Sequence, residues 1–201
     1  MNNLDKIKKL VDKDIVKVSV NYIDFGNNHK SGYIEVHKSL SDEIVKIFDE
    51  IKDTGFIIEK VETIDNYDYD DEKSVVANNT SGYNFRFVAG TTKLSDHAVG
   101  LAIDINPALN PWIHPSALDI FKYDPTIEGT IVGGDVVVKI FEKYGWSWGG
   151  YWKNPDYQHF FKGGELNKSI KNNLYKDVGV ENPYLKTKSR ISRFKDFVKN
   201  L

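Results

Sequence analysis

The 201-residue chain has no cysteine. That excludes disulfides and thiolate zinc ligands, so any metal it holds falls to histidine and carboxylate. It also lacks an excess of charge of one sign: 27 Lys and Arg stand against 29 Asp and Glu, with the basic residues dispersed, so nucleic acid is not expected as a partner. Long apolar runs are missing too. Residues 1–15 carry Asp5, Lys6, Lys8, Lys9, Asp12, Lys13 and Asp14 and no hydrophobic stretch, so neither a secretory signal nor a transmembrane segment is expected there. With 40% hydrophobic and 28% charged residues, a chain of this length suits one monomeric domain spanning residues 1–201.

Hydrophobic spacing predicts most of the elements. Leu4, Ile7, Leu10 and Val11 fit a short helix, and Val16, Val18, Val20 and Tyr22 alternate with polar residues as in a half-buried strand. Gly26 to Gly32 is turn-rich and Tyr33 to Val36 is short and apolar, which predicts a hairpin with a long tip. His29 and His37 there read as surface residues, since no second ligand lies at a useful spacing. Ser41 to Ile51 predicts an amphipathic helix stopped by Gly55, and Phe56 to Ile64 a strand. The acidic run Asp65 to Glu72 matches no calcium-loop spacing and reads as a solvated loop.

Beyond Pro111 a long loop is expected as far as Gly133, with His114 structural, followed by a helix from Asp135 to Tyr144 closed by Gly145. The aromatic belt from Trp146 to Phe161 serves as core and, through Trp148 and Tyr151, as a platform for sugar or peptide. Residues 183–201 read as a basic amphipathic helix packed on the domain; the alternative is a membrane- or wall-binding appendage.

Two stretches carry the chemistry. Ser95 to Asp104 reads Ser-Asp-His-Ala-Val-Gly-Leu-Ala-Ile-Asp. As a strand, Leu101 to Ile105 sends Leu101, Ile103 and Ile105 to one face and Ala102 and Asp104 to the other, while Gly100 lets the chain bend so that His97 turns toward the same point. Asp156 and His159 lie three apart downstream. A hydrolytic zinc site needs three ligands from His and carboxylate, an open position and a carboxylate that takes a proton from water, and these four residues fill those roles.

This pattern resembles the zinc D-alanyl-D-alanine carboxypeptidases and related bacterial cell-wall peptidases, which include L-alanyl-D-glutamate endolysins and vancomycin-resistance D,D-peptidases. The resemblance rests on Ser-x-His-x-x-Gly-x-Ala-x-Asp and carboxylate-x-x-His. It extends to Asn78 to Arg86, Asn106 to Pro111 and Gly145 to Trp152, and so covers residues 15 to 162. It implies an α+β fold of the hedgehog and D,D-peptidase type, a small antiparallel sheet with flanking helices and a zinc cleft at its open face. It further implies one zinc ion on His97, Asp104 and His159, with Asp156 as general base. Arg86 would grip a substrate carboxylate or stabilise an oxyanion, and Ser95 would hydrogen-bond the substrate.

The implied partner is a peptidoglycan stem peptide at the bacterial cell wall, extracellular or periplasmic, with the export route open. D-Ala-D-Ala carboxypeptidase activity ranks first. Asp156, where several relatives have Glu, leans toward an L-Ala-D-Glu endopeptidase. A non-catalytic zinc-bearing module that binds wall peptide or protein is the rival of another class, and retention of all four site residues argues against it.

Overall fold

The computed structural model describes residues 2–179 and 182, apart from 89, 92, 116 and 119. Helix α1, Asn3–Asp12, begins where the Asn2 side chain accepts the N–H of Asp5, and it buries Ile7 and Val11, four apart on one face. Strand β1, Ile15–Ile23, pairs antiparallel with β2, His29–His37, in a register running from Ile15 opposite His37 to Ile23 opposite His29. Val18, Val20, Tyr22, Ile34 and Val36 form the buried face of this hairpin. Helix α2, Ser41–Asp53, packs on β1 and buries Ile44, Ile47, Phe48 and Ile51; Gly55, at φ +81°, ends it.

Three local expectations are corrected. The hairpin tip is short: only residues 24–28 turn, because Asp24 accepts the N–H groups of Gly26 and Asn28 at 2.9 Å each and Asn27 adopts φ 58°. The stretch from Phe56 to Ile64 forms a strand only at β3, Lys60–Val61. Side-chain amides satisfy much of the backbone around it, since Asn106 Oδ1 accepts the N–H of Glu59 and Asn79 Oδ1 that of Glu62. The acidic run is a 3₁₀ turn, Ile64–Tyr67, followed by helix α3, Asp71–Val76. Asp70 caps α3 by accepting the N–H of Lys73, and Lys73 pairs with Asp68 at 2.9 Å, so local acceptors and one cation organise residues that composition alone places in solvent.

Strand β4, Asn79–Thr80, runs parallel to β3. The remaining strands are β5, Ala102–Asp104, β6, Ser147–Trp148, and β7, His159–Phe161, which form an antiparallel sheet in the order β5-β7-β6. Helix α4, Val136–Lys143, precedes β6 and buries Val137, Val138, Ile140 and Phe141, the last stacking on Phe160 with ring centres 4.0 Å apart. Helix α5, Gly164–Asp177, follows β7.

The fold is α+β, with five α-helices among the described residues and small sheets. The loop after β5 is pinned by Asn106 and Asn110, both fully buried, whose amides donate to the carbonyls of Ile57, Ile105 and Gly129. Among the described residues no helix is long and apolar enough to cross a membrane. The helix expected at 183–201 lies outside the described residues.

Candidate metal centre and its cleft

Strand register brings two of the proposed ligands together. Asp104 on β5 stands directly opposite His159 on β7, so both side chains leave the sheet on one face. The alternation expected of Leu101 to Ile105 holds: Leu101, Ile103 and Ile105 belong to the apolar core, while Asp104 faces a cavity. His97 arrives from a 3₁₀ turn, His97–Val99, that Gly100 reverses at φ +66°. A Cβ on Gly100 would sit 2.4 Å from the backbone nitrogen of His37, so only glycine allows this approach.

The three side chains converge closely. His97 Nε2 is 3.1 Å from Asp104 Oδ2 and 3.1 Å from His159 Nδ1, and His159 Nδ1 is 3.0 Å from Asp104 Oδ1. Ligands around a tetrahedral zinc stand about 3.3–3.6 Å apart, so this buried triangle needs only a small expansion to hold an ion. The other nitrogen of His97 fixes the ring's orientation: Nδ1 lies 2.6 Å from the carbonyl of Gly82, which can only accept, so Nδ1 donates there and Nε2 is the atom turned toward Asp104 and His159. Burial works to raise the Asp104 pKa, but the His97 and His159 imidazoles overcome it and hold the carboxyl well below the usual range. Burial works to lower the His159 pKa, and the hydrogen bond and charge of Asp104 outweigh it and raise it. A concentrated negative charge facing two imidazole nitrogens is a donor set suited to a cation.

The cluster forms part of a cavity of about 340 Å³. Asp156 lines it, in a loop whose backbone N–H donates to the carbonyl of Gly149 at 3.1 Å. Burial, opposed by His159 and reinforced by Asp104, pushes Asp156 up to about 6. The amide of Gln158 donates to Asp156 Oδ1 at 3.2 Å. Arg86 lines the same cavity and donates from Nε to Asp71 Oδ1 at 3.0 Å. Ser95 ties the two sides together: its N–H donates to the Arg86 carbonyl at 3.0 Å, and its hydroxyl oxygen accepts the N–H of His97 at 3.3 Å.

Residues 89–162 match the profile of the D-alanyl-D-alanine carboxypeptidase family. Over that stretch, which is less than half of its length, the chain is similar to that family. No curated protein and no solved structure matches the chain. The matched stretch contains His97, Asp104, Asp156 and His159, and the first, second and fourth of these are the buried group that could hold a metal ion. Arg86 lies three residues before it, so its place beside the cluster is a fact of the tertiary structure rather than of the family match.

Not every expected cleft residue reaches the cavity. Trp148 is buried, with its indole N–H on the Tyr157 carbonyl at 2.8 Å, and Tyr151 packs edge-on against it; neither lines the cavity. Trp152 does, with its ring 5.5 Å from that of His159. The aromatic belt marked all three rings, but spacing in an irregular segment cannot say which one faces the cleft. His114 stacks on Trp112 with ring centres 4.4 Å apart. Of Asn78 to Arg86, only Arg86 lines the cavity: Asn79 bonds the backbone of Glu62 on both sides, and Asn84 donates to Asp71. Asp71, Glu72 and Gln158 line it without having been marked by the sequence, although Asp70 ahead of Val75 and Val76 was a legible helix start.

Proposed function

We propose that the protein is a zinc peptidase of peptidoglycan stem peptides that removes a terminal D-alanine, acting at the bacterial cell wall. The observation that carries this reading is the convergence, in one cavity, of the His97, Asp104 and His159 cluster with a carboxylate of raised pKa and an arginine. His97, Asp104 and His159 would hold one ion. When bound, zinc supplies a Lewis acid that polarises the scissile carbonyl and makes water easier to deprotonate.

The chain's own residues do the rest. Asp156, with a pKa pushed up to about 6 by burial, is basic enough to take a proton from the attacking water and acidic enough to return it to the departing amine. Gln158 fixes one Asp156 oxygen and leaves the other for that transfer. Among the described residues the Arg86 side chain hydrogen-bonds only to Asp71, through Nε, so its two terminal nitrogens are available to a substrate carboxylate. Trp152 and the apolar side chains of the cavity wall keep bulk water from the reacting groups. Retention of Asp156 beside the cluster favours a catalyst over a binding module.

The test compares a stem pentapeptide with a free C-terminus against the same peptide amidated, with products weighed by mass spectrometry. A carboxypeptidase using Arg86 as a clamp cleaves the free peptide faster by roughly 10- to 150-fold, the worth of one charge-assisted hydrogen bond. Arg86→Ala removes that preference. Equal rates on both peptides, with cleavage at the L-Ala-D-Glu bond, would assign the protein to the endopeptidases instead.

A further inference from the structure

Arg86 is held by one hydrogen bond at its side-chain end and one at its backbone. Nε donates to Asp71 Oδ1 at 3.0 Å, and the Arg86 carbonyl accepts the N–H of Ser95 at 3.0 Å. The Asp71 oxygen is itself fixed from a second side, because the buried Asn84 amide donates to the same atom at 2.9 Å. Asp71 and Arg86 both line the cavity that contains the metal cluster.

A guanidinium offers a carboxylate two usable edges, one with Nε and a terminal nitrogen, the other with both terminal nitrogens. Asp71 occupies the first and leaves the second. The Arg86 side chain is 29% exposed, so packing alone does not immobilise it. A free arginine loses considerable rotamer entropy on gripping a ligand, whereas one already oriented by a fixed acceptor loses less.

We propose that Asp71 is the positioning residue that sets Arg86 as an end-on clamp, and that through it the cleft selects peptides ending in a free carboxylate. The proposal rests on the reading of Arg86 given above. It gives the capped helix α3, which carries Asp71, a direct part in substrate selection.

The experiment measures kcat/KM on the free and amidated pentapeptides for wild type, Asp71→Ala and Asp71→Glu, together with zinc content and melting temperature. Asp71→Ala is expected to lower the free-to-amidated ratio roughly ten- to a hundredfold, as misplacement of a positioning group does. Asp71→Glu keeps the charge but moves the oxygen by one methylene, so its ratio falls as well. Zinc content stays at the wild-type level and the melting temperature close to it, because a partly exposed ion pair contributes little stability.

A wild-type ratio retained in Asp71→Ala overturns the proposal; if that variant does not fold, a ratio retained in Asp71→Glu overturns it. A wild type that does not distinguish the two peptides removes the clamp reading of Arg86, and the proposal falls with it. Loss of melting temperature with an unchanged ratio assigns Asp71 a structural role only.

Discussion

The hairpin and helix of residues 3–61 and the cleft region that follows are stabilised by different means. In the first, Ile7, Val20, Ile34, Ile44, Ile47 and Phe48 are buried at helical or alternating spacing, and no polar residue before Thr63 is buried among the described residues. In the second, Asn79, Asn84, Ser95, His97, Asp104, Asn106, Asn110, Gln158 and His159 are all buried. An apolar side chain can be replaced by another of similar volume at small cost, but a buried polar group needs a partner at a definite place. The cleft therefore trades tolerance for geometry. Its side chains hold each other at fixed distances, which is what a cation and a general base require.

The largest expected difference lies in the metal cluster. His97→Ala or His159→Ala should lose zinc and all measurable cleavage while remaining folded, since α1, α2 and the hairpin keep their core. Elemental analysis and circular dichroism check this, and full zinc occupancy in either variant would reject the ligand set.

A second contrast pits one region against the other. Phe48→Ala empties a fully buried site and should cost about 3–5 kcal/mol of stability, with near-normal kcat at temperatures where the protein stays folded. Asn106→Ala should cost less, about 1–3 kcal/mol, because the Gly129 carbonyl keeps its bond from Asn110 while the Glu59 N–H and the Ile57 carbonyl lose theirs. It should nevertheless depress kcat, because Asn106 sits two residues from Asp104 and pins the loop beside it. Chemical denaturation and turnover measured on both variants test the pair. A kcat lowered in Phe48→Ala but not in Asn106→Ala would erase the contrast.

The smallest effect is on pH. In the proposed mechanism Asp156 acts deprotonated, so cleavage should fall as pH drops through its pKa; burial raises that pKa to about 6, and a bound cation would lower it again. The acid limb of kcat/KM is thus expected at or below about pH 6. Asp156→Asn should remove it along with roughly a hundredfold or more of the rate, without loss of zinc. A limb unchanged in residual Asp156→Asn activity would assign the base elsewhere.

The sequence alone determined α1, α2, α4 and the two long strands, because their apolar residues recur at 3.6- or 2-residue spacing and burial of one face dictates the element. It also determined the chemical identity of the cluster: absence of cysteine left histidine and carboxylate, and Leu101, Ile103 and Ile105 assigned Asp104 to the opposite face. What it could not decide were contacts whose partners lie far apart in the chain and follow no period. The hydrogen bond from Asn106 to Glu59, the approach of His97 Nδ1 to the Gly82 carbonyl, the choice of Trp152 over Trp148 at the cavity, and the bond from Arg86 to Asp71 each depend on one side chain meeting one distant atom. Hydrophobic periodicity sums over many residues and is legible locally. A single directional hydrogen bond between distant residues exists only once the chain has folded and brought its two ends together.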